Sequence, residues 1–272
     1  MSRGLAAFFG LVGALGAALA AAPAVAGPRV YSLDQCADQF VLAMAPRADI
    51  AALSHRADDA DSHLRAAARG LPRRRAGLEP ILASKAQLVV RYWGGDPMLN
   101  RALERRGVKV VTIDDVQDFA GVRANVRKVA AALAQPTRGE TLVAQMELRL
   151  AASAGAGRGR SALYMTSGGF TAGRGTLIGA MLAAAGLDNL APDVSFAPVP
   201  LERLALTPPA ALVLGYFDPA SLATQRWAFG RHHLVRRTAQ GRTLAALPSS
   251  VLGCPAWFAA DGALQLARAA RR

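Results

Sequence analysis

The chain has 272 residues, enough for two modest lobes or one large domain. It carries 32 Lys and Arg against 19 Asp and Glu, a net charge of +13 at neutral pH. The arginines are scattered, in short clusters such as Arg73-Arg74-Arg75, with no basic stripe interleaved with aromatics. A nucleic-acid surface is therefore not expected, and the charge suits a solvated basic surface or an anionic small ligand.

The chain opens Met1-Ser2-Arg3, continues through an uncharged run over residues 5–22, and reaches Ala24-Val25-Ala26. A basic start, an apolar stretch and a small-residue exit make the three-part secretory pattern, so residues 1–26 read as a signal peptide cleaved after Ala26. The competing reading, a membrane anchor, needs a stronger apolar run than this Ala- and Gly-rich one of near-minimal length. No Cys stands at the cleavage site to accept a lipid.

Residues 29–33, 50–53, 88–92 and 108–113 then read as short buried strands. Residues 97–106, closed by Gly107, read as a helix, which completes a strand–helix–strand unit of a parallel layer. Residues 117–154 read as helical, with Val122, Val126, Val129 and Leu133 on one face. Pro136 interrupts them, and Thr137 with Glu140 matches a capping box for a second helix, which has Leu142, Val143, Met146 and Leu150 on one side. After the glycine-rich exit at 155–160 the α/β pattern returns. It has strands at 162–165, 211–214 and 243–247, a helix at 176–185 stopped by Gly186, and a last helix over 256–268.

The chain thus divides into an α/β lobe over residues 27–136, a linking helix over 137–154 and a second α/β lobe over 155–272. An internal echo supports the division. Leu78-Glu79-Pro80-Ile81-Leu82-Ala83 precedes Leu88-Val89-Val90, and Leu201-Glu202-Arg203-Leu204-Ala205-Leu206 precedes Leu212-Val213-Leu214.

Candidate ligand contacts lie where strands end, because open α/β layers bind ligands beyond the C-terminal ends of their strands. Tyr92-Trp93, Tyr216-Phe217 and Trp257-Phe258 occupy three such positions. The turn Phe170-Thr171-Ala172-Gly173-Arg174-Gly175-Thr176 lies between a strand and a helix, where free N–H groups and Arg174 would suit an anion. It is not a dinucleotide fingerprint. His55, His63, His232 and His233 form no metal-ligand spacing, and no Gly-x-Ser-x-Gly elbow exists. No catalytic constellation, metal site or cofactor is expected. Cys36 and Cys254 each follow a strand, one in each lobe. A disulfide across the cleft leads, with free thiols or a ligand-contacting thiol as the alternatives.

The export signal, two α/β lobes, linking helix and Leu-Glu echo together resemble the periplasmic substrate-binding proteins of ABC importers of the ferric-siderophore and vitamin B12 type (class III, with a helical backbone). The opening Val30-Tyr31-Ser32-Leu33, the segment 78–90, and Phe170-Thr171-Ala172-Gly173 with Asn189 downstream match that layout. The resemblance implies two Rossmann-like lobes joined by one long helix, and a monomer freely diffusing in the periplasm. It implies capture of a metal chelate, ferric siderophore before cobalamin before haem, for delivery to an inner-membrane permease. Glu79 and Glu202 match the acidic residues that dock on permease arginines. Tyr92 or Trp93, Phe170 and Trp257 match cleft aromatics, and Arg174 matches a basic ligand contact. Departures are the paired cysteines and Ala86-Gln87 where Pro-Asp is usual. The competing readings are a secreted enzyme on the same scaffold and a receptor for bare zinc or manganese.

Overall fold

The computed structural model describes residues 27–217 and 232–272; the export signal read at 1–26 lies outside them. The first sheet is assembled from β1 (Val30–Ser32), β2 (Ile50–Ser54), β3 (Arg73–Arg74), β4 (Leu88–Tyr92) and β5 (Lys109–Ile113). Its order is β3-β2-β1-β4-β5, with every pairing parallel. Three of these strands are apolar over nearly their whole length because both faces are covered. Helices α1 (Gln35–Met44), α2 (Leu78–Ala83) and α3 (Pro97–Glu104) connect them. Asp34 caps α1 by accepting the Ala37 N–H at 2.9 Å, and Asp96 caps α3 by accepting the Met98 N–H at 2.7 Å.

Two helices follow, α4 (Phe119–Ala132) and α5 (Pro136–Ser153). Arg127 pairs with Glu140 and Arg123 with Glu147, so the two run antiparallel. The Val122, Val126, Val129 and Leu133 face is buried, as are Val143 and Met146 opposite. The expected capping box does not form. Pro136 takes the first helical position, where its missing N–H costs nothing, and Glu140 turns outward to Arg127.

The second sheet contains β6 (Ser161–Thr166), β8 (Asp188–Asn189), β10 (Ala211–Gly215) and β11 (Thr243–Leu247), again all parallel, in the order β11-β10-β6-β8. An antiparallel ribbon, β7 (Phe170–Ala172) with β9 (Phe196–Pro198), stands beside it. Its helices are α6 (Leu177–Ala184), α7 (Leu201–Leu206), α8 (His233–Ala239), α9 (Ser249–Leu252) and α10 (Ala259–Ala270). The Leu-Glu echo is structural: α2 and α7 are both six-residue helices that feed a buried strand.

The lobes share their largest core. Phe40 of α1 meets Trp257 edge-on at 5.5 Å between ring centroids, and His63 stacks on Phe258 at 4.0 Å. Cys36 and Cys254 are joined in a disulfide with Cα atoms 5.4 Å apart. At the back, α10 lies along α5, fastened by the Arg149–Asp261 ion pair and by Arg271, which donates to the Ala152 carbonyl at 2.8 Å.

Candidate ligand-binding cleft

In the first sheet the chain builds outward in opposite directions from β1 and β4, so the strand ends beside Asp34 and Tyr92 open a crevice. Beyond that crevice lie two adjoining recesses of about 280 and 450 Å3 that share Tyr92 and Gly253. The smaller is lined from both lobes, by Tyr92 and Asp115 on one side and Thr176, Met181 and Phe196 on the other, with Cys254 at its edge. The larger is walled by Asp34, Arg56, Arg91, Trp93 and Asp96, with the other half of the disulfide, Cys36, beside them.

Tyr92 stands between the recesses, and polar contacts hold it there. Its N–H donates to Asp34 at 2.7 Å and its hydroxyl donates to Asp115 at 2.5 Å. Burial, and then the bond to Asp115, push its phenol well above the ordinary tyrosine range. The phenol therefore stays neutral and acts as a fixed, oriented ring. Trp93 meets it edge-on at 6.3 Å and leaves 54% of its own surface open. Across the cleft Phe196 is 57% exposed. Two open aromatic side chains, one on each lobe, thus flank the cleft.

The structure distributes the other expected residues differently. Trp257 is only 6% exposed and packs on Phe40 and Phe258, so it is a core residue beneath the disulfide and not a cleft wall. Sequence position at a strand end could not reveal that α1 from the other lobe covers it. Arg174 is exposed and donates to the Asn189 carbonyl at 3.4 Å, and it lines neither recess. Two N–H groups of the glycine-rich turn are engaged within the protein. Gly173 donates to Ser195 at 2.9 Å and Gly175 to Val194 at 2.7 Å, which ties the turn to the β9 ribbon. Phe170, half exposed on β7, and Tyr216, half-buried at the end of β10, also lie outside both recesses.

Asp34, Arg91, Asp115 and Phe196 are cleft residues that the strand-end argument passes over. Two of them left signals. Asp34 precedes a helix and is a cap residue type, and Arg91 interrupts an apolar strand. Glu79 and Glu202 are exposed, each the second residue of its short helix.

Comparison with known proteins gives the family. The family model described as "Periplasmic binding protein" matches residues 48–216. The chain belongs to the periplasmic binding protein family. That family and its structural relatives bind substrates and are not enzymes. No curated protein matches the chain in sequence. Solved structures do. The periplasmic heme-binding protein RhuT from Roseiflexus sp. RS-1 is 23% identical, with a TM-score of 0.67 over 90% of this chain and 98% of that one. An Fe3+-hydroxamate transport protein from Saccharomonospora viridis is 19% identical, with a TM-score of 0.65 over 89% and 93%. The vitamin B12 binding protein BtuF of Vibrio cholerae is 17% identical, with a TM-score of 0.62 over 90% and 97%. At these identities the likeness is one of fold, that of a two-lobed binding protein.

Proposed function

We propose that this protein captures a metal chelate between its lobes in the periplasm and delivers it to an inner-membrane ABC importer. The observation that carries this reading is the cleft itself, open at the C-terminal ends of parallel strands and flanked by Tyr92 and Trp93 from one lobe and Phe196 from the other. Aromatic faces and a few fixed polar groups suit a large, partly apolar ligand whose metal is already satisfied by its chelator. Among the described residues, no three His, Cys, Asp or Glu side chains gather where they would hold a bare ion. The family's structural relatives are named for heme, Fe3+-hydroxamate and vitamin B12, which supports the chelate class and leaves its member open. We order the candidates as ferric siderophore, cobalamin and haem.

In this reading the signal at 1–26 delivers the protein to its compartment, and the helix over 137–154 is the link between lobes. Glu79 and Glu202 are the docking contacts for the permease. A chelate panel read by quenching of Trp93 fluorescence tests capture. Tight binding of at least one chelate and none of bare Zn2+ or Mn2+ is expected, and the reverse pattern overturns the proposal. Charge reversal of both glutamates to lysine should leave binding intact and stop uptake in a transport assay. Loss of binding in that variant would remove the docking role.

A further inference from the structure

We propose that Arg91 is a carboxylate-binding subsite in the cleft, so that the chelate taken up carries carboxylate groups; this rests on the cleft being the ligand site. Arg91 lies on β4 after Leu88, Val89 and Val90, and only 5% of its surface is exposed. A guanidinium at such a place is normally matched by a carboxylate, because burying an unpaired charge is costly. Arg91 is not so matched. Its Nε donates to the Tyr92 carbonyl at 3.1 Å, and no ion pair among the described residues includes it. The residue lines the larger recess.

The two carboxylates on the recess pair with backbone N–H groups and not with Arg91. Asp34 accepts the Ala37 and Tyr92 N–H groups, and Asp96 accepts the Met98 N–H. Arg56, on the same recess, pairs with Asp59 and Asp61. The guanidinium is also held in place. Gly94 and Gly95 follow at φ +76° and +71°, a left-handed turn that brings the backbone against it, and a Cβ on Gly95 would collide with its Nη2. With Nε occupied, the two terminal nitrogens form an end-on fork, the geometry that grips both oxygens of a carboxylate. Among the described residues no hydrogen bond or ion pair reaches this fork, and a ligand carboxylate would meet it.

The test compares the mature protein with R91Q and R91K by fluorescence titration against ferric citrate, haemin and a neutral ferric trihydroxamate. The two carboxylate chelates are distinguished by which of them responds. The expected result is that R91Q weakens binding of a carboxylate chelate about tenfold to a hundredfold. It should leave the trihydroxamate unchanged, with R91K between. The melting temperature of ligand-free R91Q should hold, because no ion pair among the described residues is broken. Equal weakening of every chelate together with a lowered melting temperature would show a structural role and overturn the subsite, as would no change at all. If the unsubstituted protein bound none of the three, the chelate reading itself would fail, a different outcome from either.

Discussion

Single side chains in this protein divide into those that hold the fold and those that meet the cleft, and aromatic identity does not tell them apart. Trp93 and Trp257 make the contrast. Trp93 leaves half its surface open at the cleft, whereas Trp257 is enclosed by Phe40 and Phe258. Trp93→Ala is therefore expected to weaken chelate binding about tenfold through lost stacking with the melting temperature nearly unchanged. Trp257→Ala should lower stability by about 3–5 kcal/mol. Chemical denaturation alongside ligand titration checks both, and equal behaviour of the two variants would contradict the assignment. Asp38 offers a pH signature. It is fully buried and accepts from the Ser54 N–H at 2.9 Å and the Ser54 hydroxyl at 2.5 Å. Burial outweighs these bonds and raises its carboxyl to about 6. A group whose value rises on folding stabilises the fold fully below its unfolded value, about 4, and that contribution is lost as pH climbs through 6. The difference in stability between the protein and Asp38→Asn should hence change by about 2 kcal/mol between pH 4 and pH 6.5. A flat difference across that range would show that Asp38 is not desolvated as drawn.

Among elements, the α4–α5 pair shows how close packing depends on one small residue. Gly139 of α5 is buried against Ala130 of α4, and a Cβ there would sit 2.5 Å from the Ala130 methyl. Gly139→Val should push the helices apart and lower stability by about 1–3 kcal/mol, despite valine having the higher helix propensity. A neutral or stabilised variant by thermal melting would mean that the helices can separate freely. The same pair explains the failed capping box. T-x-x-E is a local pattern, but Pro136 already starts the helix, and Arg127 on the neighbouring element attracts Glu140 away. Likewise the glycine-rich turn matches an anion site locally until the 193–196 segment arrives and takes two of its N–H groups.

At the scale of the whole molecule the two lobes are fastened from two sides. The α5 and α10 helices meet at the back, and the Cys36–Cys254 disulfide joins the lobes at the floor of the cleft across a sequence separation of 218 residues. Only small closing motions fit such bracing, so capture should resemble a clamp adjusting on its ligand. Cross-linking so long a loop restricts the unfolded chain strongly. The Cys36→Ser, Cys254→Ser double variant is expected to lose about 2–5 kcal/mol, read by denaturant midpoint against the oxidised protein. The variant should also release ligand faster in stopped-flow measurements. Unaltered stability and release would show that the bridge carries no load.

The longer strands, most of the longer helices and the family layout were legible in the amino-acid sequence, because apolar runs, helical periodicity and turn residues act over a few neighbouring positions, whereas the short strands β3, β7, β8 and β9 and the helices α1 and α8 were not read. Leu88–Tyr92 and Thr243–Leu247 are bounded by such local chemistry and coincide with the strands observed. The cleft was legible only in outline. Tyr92 and Trp93 follow from their place at a strand end, but Phe196 reaches the cleft through the β7–β9 ribbon and Trp257 leaves it through cover by α1. Arg91 stood in the sequence as an oddity in an apolar strand, and that no carboxylate among the described residues pairs with it becomes visible only in the structure. Sequence determines what a segment prefers to become. Which polar groups remain unsatisfied, and so available to a ligand, depends on partners tens to hundreds of residues away, and only the tertiary structure decides that.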